Sequence, residues 1–308
     1  MKQNSPHKII RRPCPFCGNL CPPRAQKCPK CGERLKPLKS EQEIGENNGS
    51  LKKEENKSRG KTYLSSLRSI IGKEIPRRET ITNKQLGYKE EKGHVTGISL
   101  PRCRLKNLPP LISKLSSVKA LFLSQNFISN FPKPILQMPN LELLRLDHNR
   151  FTEFPSHLTH LPLLRKLVMD SNSIEHIAPT IDDLSNLTSL SLRRNNLKKL
   201  PQSFGLLPSL ETLNLRLNQF RDFPTPLCYL RNLKRLNLSS NQLRSLPSGI
   251  GNLKELEYLN LSSNKLREIP ATLADLPNLR ELNLKGNFWI QIPESVKERE
   301  TTGLKIKK

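Results

Sequence analysis

The chain has 308 residues, with 52 lysines and arginines against 27 aspartates and glutamates and a formal net charge of +25. Only 35% of it is hydrophobic and 5% aromatic, which argues against a deep aromatic-lined ligand pocket. The charge runs along the whole length, with 22 basic and 10 acidic residues in 1–93 and 30 and 17 in 94–308. It attracts anionic partners in general, without choosing among nucleic acid, acidic protein and anionic lipid. No stretch reaches the roughly 20 apolar residues of a membrane-spanning helix. Met1 to Lys8 leads into no apolar core, so no secretory signal is expected and the chain reads as cytoplasmic.

In chain order, residues 1–13 form a basic lead and 14–35 a cysteine module. Cys14, Cys17, Cys28 and Cys31 make two C-x-x-C knuckles separated by ten residues. Four thiolates at this spacing reach one Zn2+ tetrahedrally and leave no open position, so the expected metal is structural. Gly18 and Gly32 follow the knuckles and permit the tight turn beneath the ion. Cys21 is a spare thiol, or replaces Cys17 in an irregular arrangement. The module resembles the short zinc ribbons found at the ends of prokaryotic and archaeal proteins, some of which bind nucleic acid and others protein. Lys8, Arg11, Arg12, Arg24, Lys27 and Lys30 around it suit phosphates, but Phe16 is its single aromatic.

Residues 36–61 are charged and almost free of apolar side chains, which reads as a flexible linker. Within a cap region, 62–94, Leu64, Leu67, Ile70 and Ile71 fall at three- and four-residue spacings. That spacing predicts a short amphipathic helix over 62–71, either lying as an N-terminal cap against the first unit of the segment that begins at residue 95 or meeting a partner.

From residue 95 to 300 the sequence repeats. Asn126, Asn149, Asn172, Asn195, Asn218, Asn241, Asn264 and Asn287 recur every 23 residues, and one further step back lands on Cys103. Five and three residues before each stand apolar pairs, from Ile98/Leu100 to Leu282/Leu284; two residues after comes another apolar residue, from Leu105 to Trp289. An apolar residue and proline come next, as in Leu246-Pro247, with Ala178 the one departure. The pattern is L-x-x-L-x-L-x-x-N-x-L, nine times in phase, and a fixed period outranks local signals. Leu-x-Leu predicts a short strand with alternate side chains inward, and no coil buries its leucines alone, so coils stack into a solenoid. The expected fold is an α/β repeat solenoid, a horseshoe with a curved parallel sheet on its concave face, plus a small zinc ribbon. Residues 301–308 are expected as a basic tail.

The period and the L-P-x-x-I-x-x-L return resemble the intracellular 23-residue class of leucine-rich-repeat proteins, which includes the Ras-group plant proteins and the repeat halves of the Erbin and Scribble scaffolds. The resemblance implies protein–protein interaction, and by analogy a small GTPase among the partners.

Four and two residues before each asparagine, side chains face out of the expected concave surface. In the early coils these are Phe122 and Val168, apolar where solvent is expected, flanked by Arg145, Asp147, Asp170, Arg193 and Arg216; His148 extends the patch. An apolar anchor ringed by both charges is the composition of an interface hot spot. The same residues alternatively form a solvated face whose ions pair across coils. The chain contains no phosphate-binding loop, nucleophile elbow or H-E-x-x-H helix. The expected function is a non-enzymatic adaptor or scaffold that binds a protein on this face. The alternative is a nucleic-acid-associated protein whose ribbon and basic surface hold phosphate.

Overall fold

A parallel strand hides its middle side chain and presents its neighbours, and the three residues ending four before each asparagine do so. In the computed structural model the described residues are 62–308 and the backbone of two short strands, β1 (Arg12–Pro13) and β2 (Leu20–Cys21). β1 and β2 pair antiparallel, Arg12 opposite Cys21, within a unit spanning Met1–Lys53; the repeats lie in a second unit, Glu54–Lys308. Cys14, Cys17, Cys28 and Cys31, the remainder of the basic lead and the 36–61 linker lie outside the described residues.

The first parallel strand, β4 (His94–Ser99), is preceded by β3 (Gly87–Glu91). Eight three-residue strands follow: β5 (Ala120–Phe122), β6 (Leu143–Arg145), β7 (Lys166–Val168), β8 (Ser189–Ser191), β9 (Thr212–Asn214), β10 (Arg235–Asn237), β11 (Tyr258–Asn260) and β12 (Glu281–Asn283). They stack in register, Ile98 opposite Leu121 and Leu144 opposite Leu167, and their central residues are fully buried. Each return path begins at the expected proline, whose φ of −74° to −60° caps a five-residue 3-10 helix in seven coils. Ala178 adopts −61° without the ring. Three residues on, Ile112, Leu158, Phe204, Ile250 and their counterparts are buried at 0% exposure, which closes the other side of each coil.

The asparagines tie neighbouring coils. Asn195 Nδ2 donates to Leu192 O and, one coil back, to Met169 O, both at 3.0 Å; its Oδ1 accepts from Ile174 N–H at 3.0 Å. The pattern recurs from Asn126 to Asn287. A second set has no counterpart in the expected pattern. Asn140, Asn186, Asn232 and Asn278, in every second coil, donate to the carbonyls of Ser116, Pro162, Pro208 and Lys254. The residue before each ladder asparagine is left-handed, with φ of 55° at His148 and 56° at Arg194. Only Gly286 among them is glycine, so residue type does not reveal this turn.

The ends close with non-repeating sequence. The helix over 62–71, α1, forms as expected and buries Leu64 and Leu67. β3 pairs antiparallel with β4 through a turn at Lys92 (φ 51°) and Gly93 (φ 80°), the two left-handed residues that a tight hairpin needs. At the other end α2 (Glu294–Glu298) buries Val296 and leads to β13 (Lys305–Lys307), parallel to β12. Residues 301–308, expected as a basic tail, thus extend the sheet, with Lys307 Nζ 2.7 Å from Glu281 Oε1. Arg299 Nη1 fastens this cap by donating to Ala274 O and Leu276 O at 2.6 and 3.0 Å. Trp289, expected at the inward position after Asn287, instead has φ 66° and 92% exposure. Its left-handed backbone turns the ring outward, and Ile290 packs against the core.

Candidate partner-binding face

The residues four before each asparagine form one row across the open face of the sheet: Phe122 beside Arg145, Arg145 beside Val168, Val168 beside Ser191. Phe122, expected as the exposed anchor, is buried, at 8% exposure. The segment preceding β3 explains it. That segment crosses the first coil, where Ser99 Oγ donates to Thr82 O at 2.6 Å and a Cβ on Gly97 would collide with the Ile81 side chain. Phe122, next to Ser99 in register, walls a hollow of about 320 Å³ together with Thr80 and Ile81.

Asp147 also differs from the expectation of an accessible charge, being 3% exposed. It accepts from Ser124 Oγ at 2.8 Å and from Arg145 Nε at 3.0 Å. Asp170, half-buried, accepts from Ser191 Oγ at 2.5 Å and from Arg193 N–H at 2.9 Å. Burial pushes its carboxyl above the usual range. The bonds from Ser191 and Arg193 oppose that, the Asp147 charge adds to it, and Arg145 opposes it. Both carboxylates therefore fasten neighbouring coils together, and Asp147 also holds Arg145 in place.

What remains accessible is basic and centred on half-buried Val168. Arg145 is half-buried, and His148, Arg193, Arg194 and Arg216 are exposed. Among the described residues neither Arg193 nor Arg216 makes an ion pair. In the later coils the row turns to asparagine that is spent locally. Asn237 Oδ1 accepts from Ser239 N–H and Oγ at 3.0 and 2.7 Å, and Asn260 does the same for Ser262. The N-x-S spacing is the sequence signal for this turn.

Nothing in the described residues points to chemistry at a metal. No group of three or more His, Cys, Asp or Glu gathers there. His157 and His160 lie exposed on the 3-10 helix Ser156–His160, with His160 Nδ1 3.1 Å from His157 O. Cys228 is buried and Cys103 half-buried, and burial pushes both thiols up. Among the described residues no helix is long and apolar enough to cross a membrane.

Residues 172–300 match the family model described as a leucine-rich repeat region, and residues 140–161 match the leucine-rich repeat model. Residues 140–161 and 172–300 are thus leucine-rich repeats by sequence as well as by fold. Among solved structures it is similar to the plant peptide hormone receptor RGFR1 in complex with RGF2, at 28% identity and TM-score 0.55, over 65% of this chain and 33% of that one. It is similar to the ectodomain of the receptor kinase GASSHO1/SCHENGEN3 from Arabidopsis thaliana in complex with CASPARIAN STRIP INTEGRITY FACTOR 2, at 27% identity and TM-score 0.55, over 76% and 34%. An internalin from Listeria monocytogenes shares the fold, at 23% identity and TM-score 0.58 over 68% and 60%. The chain thus spans about a third of the length of the two plant receptor chains. No curated protein matches it.

Proposed function

We propose that this protein is a non-enzymatic, cytoplasmic adaptor that captures a partner protein on the open sheet face of its third to sixth coils. The observation that carries this reading is that Arg193 and Arg216, in the two coils after half-buried Val168, are exposed and make no ion pair among the described residues, while the nearby carboxylates are already committed to the scaffold. Arginines around an apolar centre are what a protein interface uses for its strongest contacts. The two plant receptors, each described in complex with a partner molecule, support the use of such a fold for capture.

The N-terminal module is proposed as a structural zinc ribbon held by Cys14, Cys17, Cys28 and Cys31. Its donor set fits: four thiolates satisfy a tetrahedral ion completely, and β1 and β2 pair on either side of the first knuckle in sequence. Such a module has too few residues for a core, so metal binding and folding coincide.

Affinity capture of the tagged full chain from nuclease-treated native lysate tests the adaptor reading. The R193A/R216A variant is expected to weaken recovery of the partner about tenfold, with an unchanged melting temperature. Equal recovery by the variant overturns the site. For the ribbon, elemental analysis of the purified protein is expected to return one zinc per chain, and none in C28S/C31S. A metal-free native protein overturns it.

A further inference from the structure

On the edge of the solenoid that follows the strands, one position is basic in four successive coils, after exposed Glu175 at the same position of the coil before them. Three residues after Asn195, Asn218, Asn241 and Asn264 stand Lys198, Arg221, Arg244 and Arg267, all exposed. Among the described residues none of the four makes an ion pair. The edge that precedes the strands is different, because there Lys119 pairs with Glu142 and Lys234 with Glu211, each at 3.3 Å. Asp222 and Glu268 adjoin the basic row in sequence and pair with none of it.

The four cations keep the register of the coils. Arg244 N–H donates to Arg221 O at 3.3 Å, and Gln291 N–H to Arg267 O at 2.7 Å. Neighbours therefore stand one strand spacing apart, about 4.8 Å, and the row extends over about 14 Å. Like charges so placed repel one another, and a linear polyanion laid along them relieves that repulsion.

One coil beyond Arg267 the row's own position is Ile290, which packs against the core, and the two residues just before it are aromatics in water. Phe288 is 81% exposed and Trp289 92%. Phe127, the counterpart of Phe288 in an earlier coil, has its face covered by Arg150 at 4.4 Å, whereas neither Phe288 nor Trp289 has a ring or cation partner among the described residues. A single file of cations alone would suit any polyanion. Cations ending in bare aromatic faces suit one whose units carry both phosphate and a flat base.

We propose that this edge binds single-stranded nucleic acid, with phosphates along Lys198, Arg221, Arg244 and Arg267 and a base stacked on Trp289 or Phe288. The site lies apart from the proposed partner face and does not depend on it.

Trp289 is the sole tryptophan of the chain, so its fluorescence reports the stacking directly. The full chain is titrated with a twelve-nucleotide oligothymidylate over a range of salt. Quenching is expected, with a slope of log affinity against log salt of about −2 to −3 for three or four phosphates. R221Q/R244Q/R267Q is expected to bind about tenfold less tightly with a shallower slope, at unchanged melting temperature. W289A, followed by anisotropy of a labelled oligonucleotide, is expected to lose about fivefold or more. R193A/R216A leaves this binding intact, which separates the site from the partner face. Absence of binding overturns the proposal, as does binding that neither quenches Trp289 nor responds to the arginine variant. Polyglutamate quenching as deeply as the oligonucleotide also overturns it, since charge alone would then suffice. A blue shift with phosphatidylserine vesicles but none with oligonucleotide would reassign the edge to a membrane surface.

Discussion

Replacing Asn195 by alanine is expected to cost about 3 kcal/mol and lower the melting temperature by about 6–12 °C. The cost depends on which groups lose partners. Ile174 N–H is accepted by Asn195 Oδ1 at 3.0 Å and is buried, so it is orphaned outright. The carbonyls of Met169 and Leu192 fare better, since Asn172 and Asn218 still donate to them, each at 3.0 Å. One unsatisfied buried donor costs about 1–3 kcal/mol, and the weakened carbonyls and the vacated volume add to it. Asn186→Ala is the control, because that side chain is exposed and makes a single bond of 2.8 Å to Pro162 O; its expected cost is below about 1 kcal/mol. Chemical denaturation compares the two variants, and hydrogen exchange at Ile174 shows whether the opening is local. Equal costs would remove the ladder as a source of stability. Cys103, at the asparagine position of the first coil, shows where the amide is dispensable. Its N–H is accepted by Asn126 Oδ1 at 3.0 Å, and no earlier repeat asks for a donor.

Asp147→Ala is expected to destabilise by about 2 kcal/mol and to lower the pKa of Asp170. Asp147 is the acceptor for buried Ser124 Oγ and the counter-ion of Arg145, so its removal strands both. Arg145 keeps 28% side-chain exposure and turns to water, which holds the cost below that of breaking a fully buried pair. The second readout separates electrostatics from packing. The Asp147 charge helps to raise the Asp170 carboxyl while Arg145 lowers it, so the variant leaves the cation and removes the anion. Carboxyl NMR titration follows the change. In the native protein Asp170 holds its proton to higher pH than in the unfolded chain, so its contribution to stability declines as pH rises through that interval. In Asp147→Ala the interval narrows. An unchanged Asp170 titration would mean that the two carboxylates do not act on each other.

The repeats are legible because each position meets its own equivalent one coil away. Leu144 opposite Leu167 and Asn195 beside Asn172 are contacts between like residues at a constant step, so periodicity reports them directly. Val168, Arg193 and Arg216 are legible in the same way, as outward positions four or two residues before the asparagine, with His148 one residue before it extending the patch. Phe122 and Asp147, expected to be accessible, are buried for a reason that periodicity does not carry. Their surroundings depend on Ile81 and Thr82, which belong to no repeat, and on Ser124 and Arg145, whose side chains turn toward Asp147 rather than toward solvent.

The sequence by itself determined a solenoid of 23-residue coils, its inward leucines, its asparagine ladder and its proline-started returns, because these arise from interactions repeated at one fixed separation. Tertiary structure alone decided the ends and the accessible surface. The first and last coils lack one neighbour each, and unpaired strand edges must be covered. Here β3 and its preceding segment cover one edge and bury Phe122, while β13 covers the other. Trp289 is the consequence at the far end: no tenth coil stacks on it, its backbone turns left-handed, and an aromatic expected in the core stands in water.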